Sequence, residues 1–203
     1  MSASTNVSRP WQVLLLGGAA GTGKTAVSYR LARHFDIGIT EVDDFQVILE
    51  CMTTPEQQPA LHYWRTHPKA ADLPAEQIMK LQIAVGQAMS LALAAVIANH
   101  LEASTPVVLE GDFILPTLAA EPAFAGLPSA RHVRAVFLYE QDESQLLRNF
   151  LQREPDSGPQ YKRAQVSWLY GQWLKQEAER YGLPALPARP WESIFERILA
   201  ALQ

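Results

Sequence analysis

Short apolar runs alternate with amphipathic stretches along the chain, a pattern typical of strands that alternate with helices. Val13–Leu16 is a continuous apolar run followed by two glycines, and it predicts a buried strand. Val27, Leu31 and Phe35 follow at four-residue spacing, as on the apolar face of a helix. The same reasoning predicts further strands at 39–42, 106–109, 133–139 and 183–186, and further helices at 76–102, 142–153, 163–181 and 191–202.

This alternation predicts the fold class, a three-layer α/β arrangement in which a parallel sheet carries helices on both faces. In such folds the ligand crevice lies beyond the carboxyl ends of the strands. The chain has 203 residues, a length that suits one domain. We therefore expect 1–203 to form a single unit.

Two segments interrupt the alternation. Four prolines fall within 53–75, and aromatic and basic side chains, Arg65 among them, crowd between those prolines. We expect this segment to be an irregular excursion from the sheet, of a length that is often functional. The second segment, 154–160, holds two prolines and a glycine, and it predicts a mobile loop within a lid at 153–165.

Composition and charge exclude several classes of protein. The apolar fraction of 48% excludes a disordered tail, and a formal charge of -4 argues against a dedicated binder of nucleic acid or of anionic membranes. Cys51 is the only cysteine, so an intrachain disulfide is excluded, and we expect its side chain to be buried. The apolar segment Ile83–Ala98 is shorter than the roughly 20 residues of a membrane span. No signal peptide is recognised at the start of the chain, so we expect a cytoplasmic protein with no membrane partner.

The motif with the clearest chemistry follows the first predicted strand. Gly18–Thr25 matches G-x-x-x-x-G-K-[ST], between an apolar strand and an amphipathic helix. The glycines let successive backbone N–H groups face phosphate oxygens, Lys24 is expected to neutralise the β- and γ-phosphates, and the Thr25 hydroxyl to ligate Mg²⁺. ATP and Mg²⁺ are therefore the expected cofactors. The expected phosphate-binding residues are Gly18, Ala19, Ala20, Gly21, Thr22, Gly23, Lys24, Thr25 and Ala26.

Acidic residues follow the next two predicted strands. Asp43 is expected to orient, and to deprotonate, the hydroxyl of an acceptor; the alternative is that it caps the following helix. Its neighbour Asp44 is a second candidate for contact with the acceptor. Glu110 is expected to reach Mg²⁺ through water or to polarise the acceptor, and Asp112 to share that role.

Arginines supply the remaining candidate residues. Arg148 is expected to stack on adenine, and Arg153 to stabilise charge on the transferring phosphoryl group. Arg65, in the excursion at 53–75, is a candidate for holding an anionic acceptor. The alternative for each arginine is a solvated position on the surface.

These motifs together resemble the P-loop small-molecule kinases, the class of shikimate, gluconate and adenylate kinases. Within that class the chain is most similar to 2-phosphoglycerate kinase-like ATP-binding proteins. The likeness is carried by the phosphate loop, the acidic cluster at 41–44, and the segments 108–116 and 136–153. It implies a lid, an acceptor-side insertion at 53–75, and an adenine-binding loop at Arg189. The chain departs from the phosphoglycerate pattern, with Gln46 in place of an arginine and Phe113 in place of a histidine, so the acceptor stays open.

The predicted function is ATP-dependent phosphorylation of a hydroxyl or similar group on a small molecule, with the catalytic roles on Lys24, Asp43 and Arg153. One alternative is an ATP-binding regulatory module that controls a protein partner. Another is an antibiotic or nucleotide kinase. The base-recognition motif N-K-x-D of GTPases is absent from the sequence, which disfavours a GTP switch. The oligomeric state is left open, and nucleic acid is not an expected partner.

Overall fold

The computed structural model describes residues 9–203 as strands that alternate with helices. The strands are β1 (Val13–Gly18), β2 (Gly38–Glu41), β3 (Val107–Gly111), β4 (Ala123–Phe124), β5 (Leu127–Pro128), β6 (Val133–Tyr139) and β7 (Ala185–Pro187). The helices are α1 (Lys24–Phe35), α2 (Asp43–Met52), α3 (Pro59–Thr66), α4 (Ala75–Glu102), α5 (Pro116–Ala119), α6 (Glu143–Arg153), α7 (Tyr161–Arg180) and α8 (Ile194–Ala201). Short 3-10 turns lie at Ala70–Asp72, Pro155–Ser157 and Trp191–Ser193.

Five parallel strands form the main sheet, in the order β2-β3-β1-β6-β7. The central strand β1 pairs with β3 on one side and with β6 on the other, so that Leu16 lies beside both Glu110 and Val136. Because all five strands run in one direction, their carboxyl ends share one edge of the sheet. The phosphate loop leaves the sheet at the middle of that edge.

Alternating residues of the central strands supply two separate cores. Leu15 and Leu109 face α4 and α7, and they pack in the cluster that holds Met89, Leu93, Tyr170 and Leu174. Leu14, Leu16 and Val108 face the other way, and they pack with residues of α1 and α8, namely Val27, Leu31, Ile194 and Ile198. Such strands are apolar on both faces because helices cover both. The three layers predicted from the sequence are therefore confirmed.

The structure corrects three local expectations. The segment 53–75 is not irregular, since it contains α3 and a 3-10 turn; Pro59 begins α3, a position where a helix tolerates proline because no N–H bond is needed there. The loop before β6 contains the small antiparallel pair of β4 and β5, which the sequence analysis missed. Cys51 is exposed rather than buried, because it lies on α2, a helix without a fully buried residue.

Helix α4 has the bounds predicted from the sequence to within one residue, and its apolar character extends beyond the segment Ile83–Ala98. Its 28 residues reach a mean hydropathy of 1.8 over an 18-residue window, which passes a length-and-composition test for a membrane span. A core helix of a globular protein passes the same test, and 33% of that window is buried inside the protein. Leu93 on the inner face is 1% exposed, whereas Leu91 on the outer face is 83% exposed.

We predict that Leu93→Ala lowers the free energy of unfolding by about 2–5 kcal/mol, because it removes buried side-chain volume between α4 and the sheet. Leu91→Ala, two residues away on the same helix, should change that free energy by less than about 0.5 kcal/mol. Urea denaturation followed by circular dichroism measures both values. Equal effects of the two variants would contradict the observed orientation of α4.

Candidate active site

The phosphate loop contains glycines at positions where a larger residue would not fit. Gly21 and Gly23 have φ angles of 82° and 87°, in the left-handed region that favours glycine. A Cβ on Gly23 would lie 2.6 Å from the ring of Trp191, so the loop and that ring pack in direct contact. Gly23 is also the N-cap of α1 and offers no side-chain cap. The first N–H groups of α1 therefore have no partner within the helix and can serve an anion.

Lys24, the first residue of α1, is only 6% exposed and is held by two oxygens. Its Nζ donates a hydrogen bond of 3.2 Å to the carbonyl of Ala19, and it pairs with Asp112 Oδ1 at 2.5 Å. Asp112 follows β3, and its own carbonyl accepts a 2.7 Å bond from the hydroxyl of Tyr170. Burial raises the pKa of Tyr170 well above its ordinary value, so that hydroxyl keeps its proton and fixes the backbone at Asp112.

Thr25 and Glu110 form the second pair beside the loop. The Thr25 hydroxyl donates to Glu110 Oε1 at 2.8 Å, and Glu110 is 3% exposed near the end of β3. Burial raises the pKa of Glu110, against the lowering effects of Lys24 and of the hydrogen bond from Thr25. Glu41 lies beside Glu110 in the register of β2 and β3, and its charge also raises that pKa.

This pair fits a magnesium ion. A hydroxyl and a carboxylate are oxygen ligands of the kind that Mg²⁺ takes, and Mg²⁺ retains several waters, so two protein groups suffice. Within residues 9–203, no three His, Cys, Asp or Glu side chains form a dedicated metal cage. Thr25 and Glu110 are thus the oxygen pair beside the phosphate loop that could hold the ion, directly or through water.

Asp43 begins α2 and faces the same cavity. Its carboxylate accepts a hydrogen bond from the backbone N–H of Asp112. Burial, followed by the charge of Asp112, raises the pKa of Asp43, while Lys24 lowers it. Val42 rather than Asp43 occupies the N-cap of α2, and no side chain caps that helix. The carboxylate of Asp43 is therefore not used as a helix cap.

The opposite wall of the cavity is formed by α6 and the segments after it. Asn149 donates to the carbonyl of Gly21 at 2.8 Å and accepts from Arg189 at 3.2 Å, so it ties the phosphate loop to the loop after β7. Arg189 also lies 3.4 Å from the buried carboxylate of Glu140. Arg153 and Arg163 both pair with Glu154, each at 2.9 Å.

These walls enclose a cavity of about 1010 Å³. Most of the residues predicted from the sequence line it: Ala20, Gly21, Thr22, Gly23, Lys24, Thr25, Ala26, Asp43, Glu110, Asp112, Arg153 and Arg189. Gly18 and Ala19 form the base of the loop; Ala19 is fully buried and its carbonyl also accepts from Thr22 at 2.9 Å. Besides Gly18 and Ala19, three predicted residues lie outside the lining, namely Asp44, Arg65 and Arg148.

Each of those three has a different environment. Arg148 forms an exposed ion pair with Asp142 at 3.2 Å. Arg65 donates to Nδ1 of the buried His62 at 2.6 Å. Asp44 is exposed on α2, one position beyond Asp43, so the two side chains point in different directions around the helix.

The cavity also contains residues to which the sequence analysis assigned no role: Glu41, Asn149, Phe150, Gln152 and Trp191. A signal for two of them was present, because Asn149 and Phe150 lie four and three positions before Arg153 and therefore share its helix face. Trp191 had no such signal. It reaches the loop only through the path of the chain after β7.

Comparison with known proteins supports the fold. No protein-family model matches the chain, and no curated protein sequence matches it. The chain is similar in structure to a gluconokinase from Sinorhizobium meliloti 1021, with a TM-score of 0.51 and 18% identity over 96% of this chain and 93% of that one. It is also similar to a sugar kinase from Janibacter sp. HTCC2649, with a TM-score of 0.53 and 19% identity over 95% of each chain. The chain has the fold of these kinases.

We predict a pH-dependent effect of Glu110→Gln on stability. The folded protein raises the pKa of Glu110, so ionisation of this carboxyl is less favourable in the folded state than in the unfolded state. The free energy of unfolding of the natural chain therefore falls as pH rises from the ordinary glutamate pKa through the folded pKa. The amide cannot ionise, so the stability of the variant relative to the natural chain should increase over that interval. Urea denaturation between about pH 4 and 7, with a chelator present, measures this difference.

Glu56→Gln is the control of opposite sign. A hydrogen bond from the side chain of Thr54 lowers the pKa of Glu56, so Glu56 adds stability that is lost as pH falls through its folded pKa. Its replacement should therefore cost more at neutral pH than in acid. The same pH trend for both variants would contradict the opposite electrostatic environments of these two carboxylates.

Proposed function

We propose that this protein transfers the γ-phosphoryl group of ATP to a hydroxyl, or a similar group, of a small molecule. The observation that carries the proposal is the meeting of three elements in one cavity: Lys24 in the phosphate loop, the Thr25–Glu110 pair and the Asp43 carboxylate. Their residues lie at or after the carboxyl ends of three adjacent strands: Lys24 and Thr25 follow β1, Glu110 lies near the end of β3, and Asp43 follows β2. The similarity to the two kinases supports this proposal at the level of the fold.

Binding of nucleotide would use groups that are already in place. The first N–H groups of α1 and the Lys24 ammonium would hold the β- and γ-phosphates. Lys24 would exchange its contact with Asp112 for contacts with phosphate oxygens. Thr25 and Glu110 would hold Mg²⁺, which neutralises charge on the β- and γ-phosphate oxygens when it is bound. Arg189, anchored by Glu140 and Asn149, would lie against the nucleoside.

Asp43 would act on the acceptor. The acceptor oxygen forms its bond to the γ-phosphorus, the bond from that phosphorus to the β–γ bridging oxygen breaks, ADP leaves, and the hydroxyl proton passes to the Asp43 carboxylate. The raised pKa of Asp43 makes it a stronger proton acceptor than an aspartate with the ordinary pKa. Positioning and electrostatic stabilisation carry this chemistry, with no covalent enzyme intermediate.

The lid at 153–165 would complete the site. Arg153 and Arg163 lie over the ring of Phe150, with their guanidinium carbons 5.3 Å and 4.5 Å from its centroid, and both line the cavity. Their charges are close enough to the phosphate loop to serve a transferring phosphoryl group. Closure of the lid would exclude water and suppress hydrolysis of ATP. Such an enzyme fits a cytoplasmic location, where ATP is available.

The test of this proposal is ADP release from Mg²⁺-ATP against a panel of acceptors. The panel includes sugar acids, phosphoglycerates, nucleosides and nucleotides, neutral sugars, and amino alcohols with aminoglycosides. Lys24→Ala provides the blank. An acceptor that raises ADP release above this blank supports the kinase. Tight ATP binding with no effect of any acceptor would instead favour a regulatory module, and the search would move to protein partners.

We predict that Lys24→Ala weakens ATP binding by about 2 kcal/mol or more, which is about 30-fold in Kd, because a buried ammonium is lost from the phosphate site. Titration calorimetry with Mg²⁺-ATP measures the change. The matched control is Lys175→Ala on α7, which removes the same charge from outside the cavity and should leave Kd unchanged. Unchanged affinity in Lys24→Ala would contradict the proposed role of the loop.

We predict that Asp43→Asn keeps ATP affinity and lowers kcat by about 10²–10⁴-fold, because the amide cannot accept the hydroxyl proton. Steady-state turnover with an acceptor from the panel, together with calorimetry, separates the two effects. Asp44→Asn is the comparison, since Asp44 lies next in sequence but outside the cavity lining. Normal turnover in Asp43→Asn with a loss in Asp44→Asn would transfer the role to Asp44.

A further inference from the structure

The cavity has two walls of opposite charge. Arg153, Arg163 and Arg189 lie on one wall, which follows α6, α7 and the β7 side of the sheet. Carboxylates lie on the other wall, at or just after the carboxyl ends of β2 and β3: Glu41, Asp43, Glu110 and Asp112. The strand order explains the division, because β2 and β3 lie on one side of β1 whereas β6 and β7 lie on the other.

The acceptor must approach the acidic wall. This step depends on the proposed function, in which the nucleotide occupies the phosphate loop and Asp43 contacts the acceptor hydroxyl. Asp43 belongs to the acidic wall, and the backbone N–H of Asp112 donates to its carboxylate, so these two acids lie side by side. The group of the acceptor that neighbours its reacting hydroxyl therefore meets carboxylates.

Nucleotide binding would leave part of this negative charge without a partner. Lys24 is the one lysine or arginine on the acidic side among the cavity residues that the structure describes, and it pairs with Asp112. When Lys24 turns to the phosphates, Asp112 loses its cation. Glu110 would face Mg²⁺. Among the described residues, the one hydrogen bond to the Glu41 side chain comes from a neutral group, the hydroxyl of Tyr29 at 3.0 Å. An anionic acceptor would add to a charge that is already uncompensated, at a considerable electrostatic cost.

Two side chains that could have held an anionic acceptor, Arg65 and Gln46, are turned to other partners. Arg65 donates to His62 and does not line the cavity. Gln46, one turn after Asp43, donates its amide to Glu50 at 2.7 Å and is also outside the lining. The acidic wall thus combines several carboxylates with no arginine among the described residues that line the cavity there.

We propose that the acceptor is a hydroxylated amine, an amino alcohol or amino sugar, whose protonated amino group binds Asp112 and Glu41 while its hydroxyl faces Asp43. The amine would replace the cation that Asp112 gives up when Lys24 engages the nucleotide. A charge-assisted hydrogen bond between an ammonium and a carboxylate is about twice as strong as a neutral one, which favours the amine over a neutral hydroxyl.

The test measures binding separately from turnover. The first series has six carbons and compares an amine, a neutral sugar and an acid: glucosamine, glucose and gluconate. The second has two carbons and makes the same comparison: ethanolamine, ethylene glycol and glycolate. Kanamycin adds a larger amine. Calorimetric titration into the protein saturated with Mg²⁺ and a non-hydrolysable ATP analogue should show at least one amine binding about tenfold more tightly than its neutral and acidic counterparts. The preference should weaken as salt is raised.

Variants identify the carboxylates responsible. Asp112→Asn should reduce the preference for the amine by about tenfold, and Glu41→Gln should reduce it independently if Asp112→Asn fails to fold. Glu50→Gln is the matched control, because it removes the same charge from α2 at a residue outside the cavity lining. The preference should survive in that variant.

The outcomes separate this inference from the proposed function. Selective amine binding with ADP release supports both, and selective amine binding without ADP release supports the amine site while it overturns the kinase. The inference is overturned if the neutral or acidic member of a series binds as tightly as the amine. It is also overturned if none of the amines binds, kanamycin included. A preference that neither Asp112→Asn nor Glu41→Gln reduces overturns it as well.

Discussion

The buried ammonium of Lys24 is the constraint on which the rest of the site depends. A lysine that is 6% exposed needs oxygen partners, since an unpaired buried charge is strongly unfavourable. The carbonyl of Ala19 and the carboxylate of Asp112 meet that need only because the loop turns back beneath α1 and because β3 ends beside it. The positive φ angles at Gly21 and Gly23 and the pairing of β1 with β3 therefore both help to place oxygen partners around the Lys24 ammonium.

The order of the strands then determines how charge is distributed around Lys24. Residues at and just after the ends of β2 and β3 are acidic, and burial, together with their mutual repulsion, raises the pKa of Asp43 and Glu110. Residues around α6 and β7 are basic, and Glu154 and Glu140 hold the arginines of that side. A nucleotide with its metal ion suits the junction of two such walls, because its phosphates need cations while its metal ion needs carboxylates. The asymmetry also leaves the side of the cavity at β2 and β3 negatively charged.

The sequence predicted the elements that periodicity and motif determine. The strand at 133–139 was predicted with the bounds that the structure has, and the loop at Gly18–Thr25 was recognised from its residues and its context. Periodicity could not reveal α3, because prolines mask a helix that begins with one of them. It could not assign Arg65 or Arg148 either, since only the fold shows that their guanidinium groups turn to His62 and Asp142. Trp191 joins the cavity through long-range packing, which no local pattern records. Glu41 belongs to the acidic cluster at 41–44, but the sequence analysis assigned no role to that residue.

Phosphoryl transfer is tested most sharply by the chemical fate of the γ-phosphoryl group. Mass spectrometry of the acceptor, combined with quantified ADP, measures how many acceptor molecules gain a phosphoryl group for each ATP consumed. Phosphoryl transfer between the walls of this cavity predicts about one phosphorylated acceptor for each ADP. Little free phosphate is expected, because closure of the proposed lid would exclude water. Release of ADP with free phosphate and an unmodified acceptor, under every acceptor condition, would contradict the account.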